Sequence, residues 1–166
     1  MGTWNSYSKN YQTCELCYAE LVLHENNFLD HEIYDLLLPI IVRKKGEKVD
    51  VGFGFLTIIQ ELEYIISSRN CIDSRDIRHH VNWILKQLIT RKERIIDLQK
   101  NPQTHMFLRC IWWSRYGDGG PVFSPRQIRE LASLNMPCIF QFYAAPNSFN
   151  EMKETLENLK HFSGKT

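Results

Sequence analysis

The segment Met106-Phe107-Leu108-Arg109-Cys110-Ile111-Trp112-Trp113, followed by Ser124-Pro125-Arg126-Gln127 and then Cys138-Ile139-Phe140-Gln141-Phe142-Tyr143, decides the fold. The first run is apolar and alternates as a strand does. Met106, Leu108, Cys110 and Trp112 point one way, and Phe107, Arg109, Ile111 and Trp113 the other. The first set reads as core. The second carries an arginine between aromatics, so that face is either a covered amphipathic layer or an exposed surface. Ser124-Pro125-Arg126-Gln127 is a capping box with proline at the first helical position, which starts a helix sharply. Ile128, Leu131 and Leu134 give this helix its apolar face, and Pro137 to Ala144 is the next strand. A helix between two strands predicts a parallel pair with a right-handed crossover.

Upstream, Cys14 to Leu23 reads as a strand. Asp30 caps a short helix with Ile33, Leu36 and Leu37 inward, ending before Pro39. Arg43 to Asp50 reads as a charged loop and Val51 to Ile59 as a second strand, in which Gly52 and Gly54 mark a bulge or a close backbone approach. The continuation through Ile66 is either extended or helical; periodicity does not separate the two. From Asp73 or Ser74, Ile77, Val81, Ile84, Leu88, Ile95 and Leu98 share one helical face up to Asn101-Pro102. One uninterrupted helix of roughly 27 residues would be about 40 Å long. Ser148-Phe149-Asn150-Glu151 is a second capping box, opening an amphipathic tail helix with Met152, Leu156 and Leu159.

The expected fold is therefore α+β, in the order β-α-β, long helix, β-α-β, tail helix. A single mixed sheet of about four to five strands carries helices on one face. Residues 1–12 read as a poorly ordered lead-in, 13–145 as one domain, and 146–166 as the amphipathic helix packed on it. A length of 166 residues allows one full core, and a net charge of +1 argues against a dedicated nucleic-acid binder. No apolar run reaches bilayer length, the first residues lack a signal-peptide core, and five cysteines form no even framework. Together these predict a cytoplasmic protein with neither nucleic acid nor membrane as partner.

The candidate chemistry is sparse. Cys14-x-x-Cys17 has no second pair, and on a regular strand its two thiols point to opposite faces, so neither metal nor redox use is expected. His79 and His80 are adjacent on a helix, about 100° apart, and read as polar or partly buried helix residues. Gly117-Asp118-Gly119-Gly120 lacks both phosphate-loop patterns and reads as a turn requiring positive φ. No nucleophile set can be assembled, and no cofactor or metal site is expected. The best recognition cluster is Arg109, Trp113, Arg115, Tyr116 and Asp118, because aromatics and arginine dominate binding hot spots. The alternative for Trp113 and Arg115 is structural, with the Trp packed and Arg115 paired to Asp118.

Several segments together resemble the bacterial family called domain of unknown function 4279. They are Tyr18-Ala19-Glu20-Leu21, Leu29-Asp30-His31-Glu32-Ile33, Lys45-Gly46-Glu47, His79-His80-Val81-Asn82-Trp83, Trp112-Trp113-Ser114, Gly119-Gly120-Pro121-Val122-Phe123-Ser124-Pro125, Leu131-Ala132-Ser133-Leu134-Asn135 and Phe142-Tyr143. The likeness spans roughly residues 16 to 144, with His31, Leu37-Leu38 and Phe55 departing from the pattern. It implies no defined activity. Small bacterial families of this kind often supply immunity proteins, so the resemblance implies a non-catalytic domain that binds a partner protein, a cognate toxin in the sharpest form. The alternative is a small-molecule or nucleotide-binding protein, or an unfamiliar hydrolase, using the Gly117 to Pro121 turn.

Overall fold

A computed structural model describes residues 13–24, 40–115 and 119–145. The expected helix at Asp30, the lead-in, the tail helix, and residues Tyr116, Gly117 and Asp118 lie outside the described residues. Seven strands are described: β1 (Cys14–His24), β2 (Ile41–Arg43), β3 (Lys48–Asp50), β4 (Leu56–Ile58), β5 (Glu63–Ser67), β6 (His105–Ser114) and β7 (Cys138–Ala144). Between them stand α1 (Ile77–Leu88), α2 (Lys92–Leu98) and α3 (Pro125–Ser133). Five strands form one mixed sheet in the order β2-β5-β1-β6-β7, and β3 pairs with β4 in a separate hairpin. The fold class is α+β.

β1 is central, antiparallel to both β5 and β6, while β7 runs parallel to β6 across the α3 connection. The main core lies between this sheet and the helices. Cys17, Ala19, Leu21 and Leu23 of β1 meet Leu108, Cys110 and Trp112 of β6, beneath Ile77, Val81, Ile84 and Leu88 of α1 and Leu131 of α3. The expected core face of β6 is thus correct. The capping box of α3 forms as read, and Gln127 within it also donates to the Arg78 carbonyl and the Asn82 side chain, tying α3 to α1.

Two expectations need correction. The long helix is interrupted by a 3-10 turn at Ile89–Arg91, with Asp76 as its N-cap. Ile89 and Thr90 are β-branched and helix-poor, and no apolar residue in that turn anchors it to the core. The tighter turn re-aims the chain so that Ile95 is buried, and Arg91 Nη1 donates to the Gln87 carbonyl at 2.9 Å. The second strand, expected over Val51 to Ile59, is instead the turn and return arm of a hairpin whose first arm, β3, lies inside the expected charged loop. Gly52, Phe53 and Gly54 have φ of 141°, 52° and 77°, which no strand tolerates. The region left open through Ile66 is extended, as β5.

Candidate functional site: the open face of the sheet

Opposite the helices, the sheet presents Tyr18, Glu20 and His24 of β1, Glu63 of β5, Arg43 of β2, Arg109 and Ile111 of β6, and Gln141 and Tyr143 of β7. The β3–β4 hairpin and the connector to β5 fold over these side chains. Between hairpin and sheet lies a cavity of about 390 Å³, within the range of small-ligand sites.

The hairpin is held by its tip. Trp113 Nε1 donates to the Val51 carbonyl at 2.9 Å, and the Tyr18 hydroxyl donates to the same oxygen at 3.1 Å. Trp113 stacks on Tyr143 with ring centroids 4.5 Å apart, and Phe53 and Phe55 meet its edges. Gly52 is the close backbone approach anticipated from the sequence: a Cβ there would lie 2.7 Å from Trp113 Nε1.

The floor of the cavity is a charge network that sequence reading did not find. Arg43 holds Glu20 bidentately at 2.8 and 3.2 Å, and Arg109 reaches the same carboxylate at 2.7 and 3.0 Å. Arg109 also binds both oxygens of Glu63 at 3.0 Å. Pairing register makes this possible, since Glu20 faces Arg109 across β1–β6 and Arg43 faces Glu63 across β2–β5. Glu20 is 1% exposed and Glu63 6%, so these charges would be very costly unpaired. Burial alone would raise the Glu63 pKa, but hydrogen bonds from His24 and Arg109 and the Arg43 charge outweigh it and hold it at about 2. Burial lowers Arg109, yet Glu63 and Glu20 more than compensate, raising it above its ordinary value. Burial, reinforced by the Glu20 charge, keeps the Tyr18 phenol protonated well beyond its usual range. At the rim His24 stands between two carboxylates, Nδ1 3.2 Å from Glu61 and Nε2 3.3 Å from Glu63. The signal for this network was present: a lone glutamate inside Tyr18-Ala19-Glu20-Leu21-Val22-Leu23 demands a buried partner.

Of the expected recognition cluster, Trp113 and Arg109 belong to this site, but as buried supports. Trp113 is 3% exposed and Arg109 is engaged by two carboxylates. The Arg-bearing face of β6 is therefore the covered layer. Arg115 stands at the strand end, half-exposed, and pairs with Glu15. Gly119 has φ of 75°, the positive value expected of that turn. His80 is buried, its Nε2 donating to the Ser74 carbonyl and its Nδ1 at 2.9 Å from Ser68 Oγ. Burial lowers its pKa.

The expected placement of Cys14 and Cys17 on opposite faces is overturned. The β1–β6 ladder pairs Cys14 with Ser114 but Leu16 with Trp113, so Glu15 is an extra residue in a β-bulge. The bulge resets the alternation, and both thiols face the helix-side core, where Cys17 Sγ donates to the Ser74 carbonyl at 3.7 Å. Among the described residues, no group of three or more His, Cys, Asp or Glu is placed to hold a metal ion. No described helix is long and apolar enough to cross a membrane.

A mixed sheet backed by helices, with its other face covered over a buried ionic floor, is an α+β scaffold with a roofed cleft. The model of the family named domain of unknown function (DUF4279) matches residues 13–145. The chain belongs to that family. No curated protein and no solved structure matches it.

Proposed function

We propose that this chain is a non-catalytic binding domain that engages a second protein through the β3–β4 hairpin and the adjacent sheet end. The observation carrying this reading is the exposure of Phe55, Leu56 and Ile58, at 54%, 56% and 54%, with Phe53 beside them. Exposed apolar side chains grouped on one element mark interaction surfaces. The hairpin presents them above the sheet, because Trp113, Tyr18 and Tyr143 hold its tip from below. In this reading Arg109 and Trp113 position the surface, and Arg115 is the charged contact at its margin. Tyr116 and Asp118 adjoin Arg115 in sequence. A bacterial toxin neutralised in the cytoplasm is the specific form of partner that the family resemblance favours.

Affinity capture of the tagged full chain from its native lysate tests this. One stoichiometric protein, lost from Phe55→Ala/Leu56→Ala and retained by Ile128→Ala on the far side, is the expected result. An empty capture, or a partner indifferent to both hairpin changes, overturns the reading. A second reading rests on the roofed cavity itself, which suits a small ligand. Thermal stabilisation by one member of a nucleotide and sugar-phosphate panel, lost in Gln141→Ala, would favour it.

A further inference from the structure

β7 ends the sheet on one side, and among the described residues no strand lies beyond it. Its outer edge is unlike the opposite one. β2, on the far side, is three residues long and carries Arg43, which is engaged in the ionic floor. β7 is seven residues long, Cys138-Ile139-Phe140-Gln141-Phe142-Tyr143-Ala144, with neither a charge nor a proline, and it pairs with β6 without a bulge. Short length, charge, proline and bulges are the devices that keep an edge strand from pairing with another chain. β7 has none of them.

This edge offers both main chain and apolar side chains. The Leu108 N–H donates to the Pro137 carbonyl, and the Ala145 N–H donates to the Ser114 carbonyl. Peptide groups alternate along a strand, so Ile139, Gln141 and Tyr143 also turn theirs toward β6. Cys138, Phe140, Phe142 and Ala144 turn theirs outward, where no described residue bonds them. Phe140 and Phe142 lie level with Cys110 and Trp112 on the helix side, yet they remain 41% and 59% exposed. On the open side Ile139 is 44% exposed.

We infer that two copies of this chain join through β7, edge to edge and antiparallel about a twofold axis at Gln141, merging their five-stranded sheets into one. The pattern of the strand selects the occupant. Pairing about Gln141 sets Phe140 opposite the partner's Phe142, and Phe142 opposite the partner's Phe140. Each such pair exchanges two hydrogen bonds, because these are the residues whose peptide groups point outward, and Cys138 does the same with the partner's Ala144. On the open side Ile139 meets the partner's Tyr143. Only the two Gln141 amides meet as polar groups, and each can donate to the other. An unrelated strand would have to supply this pattern, whereas a second copy carries it by symmetry. The axis is normal to the sheet, so both clefts lie on one side of the dimer.

Size sets the strength. An aromatic side chain accounts for roughly 150–250 Å², so the exposed parts of Phe140 and Phe142, with Ile139, offer about 300 Å² per copy before the main chain is added. That places the contact at the low end of specific interfaces, with reversible association at micromolar concentrations.

Sedimentation equilibrium of the full chain over roughly 1 to 100 µM tests this. The expected result is a reversible shift from 19.7 kDa toward twice that mass. Phe142→Lys places a charge on the edge at an exposed position and should weaken the dimer by roughly tenfold or more, with an unchanged circular dichroism spectrum. Crosslinking in a Cys71→Ser background, which lacks the exposed native thiol, reads the register. Residues opposed on the axis stand about 4.5 Å apart at Cα, within disulfide reach, so Gln141→Cys should oxidise to a covalent dimer. Ile128→Cys, exposed on α3, should not. A chain that stays monomeric throughout, or a dimer that persists in Phe142→Lys, overturns the inference. So does a dimer in which Gln141→Cys crosslinks no better than Ile128→Cys, a result that decides the matter even if Phe142→Lys fails to fold.

Discussion

At the residue scale, Arg109 is the side chain on which the open face depends. It supplies hydrogen bonds to both buried carboxylates, and Arg43 reaches mainly one of them. Arg109→Met keeps volume but leaves Glu63 with only His24 and the Arg43 guanidinium at 3.7 Å. Removing one partner from a buried ionic cluster costs about 3–5 kcal/mol, so urea unfolding of this variant should begin at markedly lower denaturant. A loss below about 1 kcal/mol would show that the network is more hydrated than its burial implies. Glu63 also gives the cluster a pH signature. Its folded pKa of about 2 lies below the ordinary 4.5, so its stabilisation is complete above pH 4.5 and disappears as pH falls toward 2. Glu63→Gln should flatten the acid limb of the stability profile and lower the plateau. Gly52 is the second sensitive position. A side chain there meets Trp113 and must adopt φ of 141°, so Gly52→Ala should cost about 3 kcal/mol from strain plus the weakened tip hydrogen bonds.

Elements differ in how much of themselves they announce. β6, α3 and β7 were legible in their extent, since each is bounded by local chemistry: alternation in β6, the Ser124 capping box, and Pro137; but Ile128, read as part of the apolar face of α3, is exposed, and Gln127 is buried. The break after Leu88 was hidden because apolar residues seven apart satisfy the helical template on both sides of it. The hairpin was hidden for a different reason. Val51 to Ile59 is apolar enough for a buried strand, and of the three positive-φ residues that turn the chain back, Gly52, Phe53 and Gly54, only the glycines leave a mark in the sequence. The bulge at Glu15 likewise depends on its pairing with β6, and it puts Cys14 and Cys17 on one face where regular alternation predicts two. For the site, Arg109 and Trp113 were legible as a cluster, whereas Glu20, Glu63 and Arg43 join it only through cross-strand register. The start of α1 carries its own prediction. His80 fastens it to Ser68 and Ser74, and burial keeps the imidazole neutral by lowering its pKa from 6.5. A base with a depressed folded pKa contributes fully above its unfolded value, so stability should fall as pH drops below 6.5. Denaturant midpoints on either side of that value check this, and His80→Gln should remove most of the slope between them.

On the scale of the whole molecule, the fold is two layers of unequal strength laid on opposite faces of one sheet. The helix-side layer buries a large contiguous set of apolar residues, whereas the second cluster is confined to Tyr18, Val51, Ile111, Trp113 and Ala145, with Leu16 and Tyr143 packed alongside. The hairpin joins the sheet through this smaller cluster, the shared Val51 carbonyl and Arg69, which pairs with Asp50, and among the described residues its three-residue strands pair only with each other. Such a unit opens without global unfolding. Native-state hydrogen exchange should therefore find the amides of β1 and β6 slowest and those of β3 and β4 faster. Trp113→Phe preserves most of the ring packing but deletes the Nε1 donor, worth about 1 kcal/mol. The hairpin amides should then exchange roughly fivefold faster while protection of Leu21 and Leu108 is unchanged. If acceleration spread equally to β1 and β6, the hairpin would be part of the global cooperative unit. A binding platform that loosens independently of the core would then have to be abandoned.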